Sequence, residues 1–161
     1  MPVSVSGTGP VAGVTTLNGL TIPATSFGKV LQVIRAIDTT ERTTTSTTAV
    51  DANLNVTITP QLNTSAILLI CSFYAQTSGS GVYPSFLLTN SSNATVSGAE
   101  RTQVGVSAGG VWLGGQTLIG YSTPATTSTI TYKLRWFVNT GTGTLANATN
   151  TAQLFAIEVA S

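Results

Sequence analysis

From Lys29 onward, hydrophobic and polar side chains alternate with a period of two over most of the chain. Residues 29–37 set Val30, Gln32, Ile34 and Ala36 against Leu31, Val33, Arg35 and Ile37, and both faces are mostly apolar. Leu54, Val56 and Ile58 alternate with Asn55, Thr57 and Thr59 until Pro60 stops the run. Residues 66–76 carry Ile67, Leu69, Cys71 and Phe73 on one face and Leu68, Ile70 and Tyr74 on the other. That is the pattern of a central strand covered on both sides. A run over 82–89 follows, in which Pro84 marks an edge or a bulge. Weaker runs lie near 94–97, 102–106 and 110–113, and a stronger one over 116–122. Residues 129–138 place Ile130, Tyr132, Leu134, Trp136 and Val138 on one side, and 152–160 set Leu154, Ala156 and Glu158 against Phe155, Ile157 and Val159. Short strands parted by turn residues, with no helical stretch, predict an all-β fold. An antiparallel β-sandwich or jelly-roll-like body fits the uneven strand lengths better than a closed barrel. No repeat of fixed period points to a propeller or a solenoid.

Residues 1–28 differ from this body. They hold half of the chain's six prolines, several glycines and no charged side chain. Gly7-Thr8-Gly9-Pro10-Val11-Ala12-Gly13 fails as a dinucleotide fingerprint, because a proline occupies the turn and neither a strand nor a helix flanks it. Leu17-Asn18-Gly19-Leu20 carries a tight-turn signal. The apolar residues Val11, Val14, Leu17, Leu20, Ile22 and Phe27 offer too little to bury by themselves. An extended arm is expected over 1–28, ordered against a partner surface or sister chains, and a single body over 29–161.

Composition narrows the chemistry. Only 7% of residues are charged, against about 25% in an average soluble domain. Six Lys and Arg oppose five Asp and Glu, so no basic field exists to hold a nucleic acid. With no histidine and one cysteine, imidazole base catalysis, Ser-His and Cys-His triads and zinc sites of Cys and His are excluded. Cys71 has no internal disulfide partner and is expected to be a buried, inert thiol. The longest apolar run, 66–71, is too short for a membrane-spanning helix. The first residues lack the basic region and apolar stretch of a signal peptide, so none is expected. Thirty Thr and sixteen Ser make the polar surface one of hydroxyls instead of charges.

Carboxylates are the one enzyme chemistry left to weigh. Asp38-Thr39-Thr40-Glu41-Arg42 reads as solvated turn acids beside a cation, without the opposed pair of a sugar cleft or the density of a calcium loop. Glu158 shares its face with Ala156 and Ala160, and a structural ion pair with Arg35, Lys133 or Arg135 is expected. Tyr132 and Trp136 are expected in the core. Trp112, set among glycines, and Tyr83 are the candidate surface contacts. No catalytic, cofactor-binding or metal-binding residue is expected.

Two stretches resemble a known family. Gly19-Leu20-Thr21-Ile22-Pro23-Ala24-Thr25 is similar to a segment of tail and virion structural proteins of tailed bacteriophages. The body resembles a β-rich domain of such proteins through Gly28-Lys29-Val30-Leu31-Gln32-Val33, Val56-Thr57-Ile58-Thr59-Pro60, Ser122-Thr123-Pro124-Ala125-Thr126-Thr127-Ser128 and Phe155-Ala156-Ile157-Glu158-Val159. Ala66 stands where the family usually has a lysine. The resemblance implies a non-enzymatic component of the virion surface, often a homotrimer in contact with other virion proteins. One expectation is a head-decoration or head-fibre protein, because 161 residues leave no room for a long fibre shaft. The other is a tail-fibre module gripping host-surface glycan. Neither nucleic-acid binding nor membrane insertion is implied.

Overall fold

A computed structural model describes residues 29–160 and, before them, the backbone of β1 (Thr16–Leu17) and β2 (Leu20–Thr21). These two short strands pair antiparallel at the Asn-Gly signal, Leu17 opposite Leu20. The side chains of Val11, Val14, Leu17, Leu20, Ile22 and Phe27, and with them the expected anchoring role, lie outside the described residues.

The body is all-β, with every strand pair antiparallel. One sheet runs β3 (Val30–Asp38), β12 (Ala152–Val159), β6 (Ala66–Thr77) and β9 (Leu113–Ser122). The short strands β4 (Arg42–Thr44) and β11 (Gly143–Leu145) continue β3 and β12 past an interruption, β11 lying beside the far end of β6. The second sheet runs β5 (Val50–Ile58), β10 (Ile130–Val138), β7 (Pro84–Asn90) and β8 (Thr102–Gln103). With each interrupted pair taken as one strand, the orders along the chain are 1-8-3-6 and 2-7-4-5. That connectivity is a jelly roll, so the expected sandwich is present with a defined topology.

Binary patterning explains why the sheets stack. β5 turns Ala52, Leu54, Val56 and Ile58 inward and β10 turns Tyr132, Leu134 and Trp136 inward, all buried. Phe73 of β6 meets Phe86 of β7 at 4.6 Å between ring centroids, and Phe86 stacks on Trp136 at 5.9 Å. These rings join the two sheets. Pro84 stands at the first position of β7, where its missing N–H breaks no ladder. In β5 the pairing with β10 shifts register, and Asn53 takes up the bulge at a φ of 60°.

The interruption between β3 and β4 is stitched by side chains. Arg42 Nε and Nη2 donate to the two Asp38 carboxylate oxygens at 3.0 and 3.1 Å. Thr40 N and Asn147 Nδ2 complete the set at 3.1 and 3.0 Å. The expected solvated turn acid is therefore corrected for Asp38, which is buried. Burial pushes its carboxyl up, but the Arg42, Thr40 and Asn147 donors outweigh it and hold the group below the ordinary aspartate value. Glu41 stays exposed.

Candidate functional site

Among the described residues no ligand-sized cavity opens, and no three acidic, cysteine or histidine side chains gather as a metal cage. The candidate residues are placed one by one. Trp112 is only partly exposed and packs against the core. Its backbone exchanges hydrogen bonds with Thr77 at 2.9 Å each way, and its indole covers Gly114, where a Cβ would lie 2.7 Å from the ring. Tyr83 likewise lies over Gly105, whose φ of +146° and 2.5 Å clearance to the Val82 carbonyl admit no side chain. Both aromatics pack over glycines and keep part of their surface in solvent.

Glu158 is corrected as well. Its partners are not Arg35, Lys133 or Arg135 but donors at one end of the sandwich. Oε2 accepts from Gln32 Nε2 at 2.6 Å, and Oε1 from the backbone of Gln61 at 2.7 Å and Leu62 at 3.3 Å. Inaccessible to solvent, the carboxyl is pushed up by burial. The Gln32 amide, the nearby Ser65 hydroxyl and the two backbone N–H groups reverse this and leave it below the ordinary glutamate value. The carboxylate thus closes the turn from β5 to β6 without a cation. Lys133 and Arg135 instead share Asp51, at 3.2 and 3.0 Å, on the outer face of the second sheet. Arg35 lies over the Phe155 ring, 5.7 Å from its centroid, with Nε donating to Gln153.

Cys71 sits in the core with no exposed surface, and burial pushes its thiol far up. Folded protein is expected to leave Cys71 unmodified by a water-soluble maleimide over hours and to modify it fully in urea. Rapid labelling without denaturant would contradict this placement.

What distinguishes the molecule is the outer face of the first sheet. Strand register aligns Val33, Ile157, Leu68 and Tyr121 in one row across all four strands. The next row is Arg35, Phe155, Ile70 and Ile119, and Ile37 borders the third. Val33, Ile37, Ile119 and Tyr121 are each 54–57% exposed. The second sheet shows how this chain treats a face meant for water. There Asp51, Asn55 and Thr57 of β5 stand beside Arg135, Lys133 and Thr131 of β10, with Thr57 and Thr131 hydroxyls 2.9 Å apart. The doubly apolar pattern of 66–76 foreshadows the apolar face, and the equally two-faced 29–37 and 152–160 runs place its other rows. Ile119 and Tyr121 fall in the 116–122 run, but glycines at 114, 115 and 120 blur its alternation, so the sequence does not mark which set faces outward.

No protein-family model matches the chain, and no curated protein does.

Proposed function

We propose that the chain is a non-enzymatic structural protein of a virus particle, a small trimeric capsid-decoration protein attached to other virion proteins through residues 1–28. The observation that carries this reading is a jelly roll that shows no ligand-sized cleft among the described residues, with one broad face of hydroxyls, amides and a cluster of Asp51, Lys133 and Arg135 and the other openly apolar. Such a body suits side-by-side packing, because neutral faces repel neighbours little. An uncharged arm with short apolar clusters suits attachment by strand addition to a coat. The sequence resemblance to virion structural proteins supports the same reading. The tail-fibre, glycan-gripping alternative would draw on Trp112 and Tyr83, which stay partly exposed beside glycines; the apolar sheet face favours packing between copies over it.

Immunogold electron microscopy of purified particles, with antibody raised against residues 29–161, tests the proposal. Gold scattered over the heads is the expected result. Gold confined to tails would replace decoration by adhesion, and bare particles would overturn the virion reading.

A further inference from the structure

We infer that the outer face of the β3–β12–β6–β9 sheet is the surface through which copies of this chain bind one another. The inference deepens the proposed self-association by naming its surface.

A sheet face left to water in an antiparallel sandwich normally alternates into polar residues, as the β5–β10 face does in this molecule. The opposite face breaks that rule across four adjacent strands. Isolated exposed apolar side chains are ordinary, but a contiguous patch of this kind marks an interaction site. Its extent follows from sheet geometry. Four strands about 4.8 Å apart, with side chains every ~6.8 Å along each, give roughly 130 Å² per row. The two apolar rows, the row of Val30, Val159 and Ala66 on one side and the Ile37 row on the other together make roughly 500 Å² of flat face. Counted on two copies this approaches about 1,000 Å², the least that a specific protein interface buries.

The chemistry of the face selects its occupant. A symmetric contact places like groups near like, so a self-binding face must be nearly free of charge. Arg35 is the one charged side chain among the outward strand positions here. It stands on the border strand β3, already held by Gln153 and the Phe155 ring. A charged partner would find nothing to pair with in the centre, where Leu68, Ile70, Ile119 and Phe155 meet. The same face of other copies fits it: in the proposed trimer three such faces converge about the three-fold axis, each meeting its neighbours' apolar rows.

Sedimentation equilibrium of the full chain tests the inference, with Ile119→Glu as the variant and Asn55→Glu on the other sheet as control. The wild type and N55E are expected at a multiple of the 16.5 kDa chain mass. I119E is expected to weaken association by roughly 100-fold or more, since it sets like charges together in an apolar contact. Should I119E fail to fold, hydroxyl-radical footprinting of the wild type decides, with Tyr121 labelling expected to fall as concentration rises through assembly. A monomeric wild type overturns the inference, as does a folded I119E that keeps the wild-type mass. A monomer whose Tyr121 is protected would show that the chain's own residues 1–28 cover the face, which also overturns a second copy as occupant. Because no virus particle enters these measurements, their outcome is independent of where the gold label falls.

Discussion

Trp136→Ala is expected to lower the stability of the body by about 3–5 kcal/mol, the range for deleting a large aromatic from a packed core. Trp136 is 2% exposed on β10, the strand that pairs with both β5 and β7. Its indole stacks on Phe86, and Phe86 in turn tilts against Phe73 of the facing sheet. Removing the indole therefore leaves a cavity behind Phe86, the ring that meets the facing sheet at Phe73, and the strands on either side of β10 limit how far that space can collapse. Domains of this kind are stable by only about 5–15 kcal/mol in total, so the variant should unfold at markedly lower denaturant. Urea titration followed by far-ultraviolet circular dichroism measures the loss. Wild type and variant must be compared at one protein concentration, because association adds stability by mass action. A loss below about 1 kcal/mol would mean that the indole does not fill the core.

The same residues show what could be read in advance. Tyr132, Leu134 and Trp136 alternate with Thr131, Lys133 and Arg135, and a period of two leaves no choice about which set faces inward. Strand existence and the two-sheet architecture follow from such runs. Partnership is different, because it depends on register and on how strands are shuffled between sheets. The alternation sets Glu158 on one face with Ala156, which is the buried one, yet the cations expected to meet it are on other faces. Lys133 and Arg135 point out from the second sheet toward Asp51, and Arg35 points out from the first. What meets Glu158 is backbone N–H from the turn at Gln61 and Leu62, which no side-chain pattern announces. The brief strands β4 and β11 carry no periodic signal, since Arg42-Thr43-Thr44 and Gly143-Thr144-Leu145 are too short to show alternation. They exist because the β3–β12 pairing resumes beyond the Asp38 cluster in a shifted register, with Leu145 opposite Arg42 and Ala75. Trp112 shows the opposite case: glycines around an aromatic suggest an open loop, and the indole is partly exposed, but Gly114 is also small so that the ring can lie upon it.

Glu158→Ala should cost about 2–4 kcal/mol, because each buried donor that loses its acceptor costs on the order of 1–3 kcal/mol. Three donors converge on this carboxylate: Gln32 Nε2 from β3 and the backbone N–H groups of Gln61 and Leu62. Water entering at this end of the sandwich would relieve part of the loss, which is why the sum falls short of three full penalties. The pH dependence separates charge from packing. The folded carboxyl lies below the ordinary glutamate value, since these hydrogen bonds outweigh the upward push of burial. Its contribution is therefore complete above about pH 4.3, the value of an unfolded glutamate, and is lost as pH falls through the lower folded value. Asp38 is depressed too and adds to the loss in acid. Glu158→Gln keeps the size and one acceptor oxygen but cannot titrate. Its stability, followed by urea unfolding from pH 7 to pH 3, should begin below that of the wild type and converge toward it in acid. A constant gap between the two curves would show that the carboxylate works by shape alone, and that its charge contributes nothing to closing the turn between the sheets.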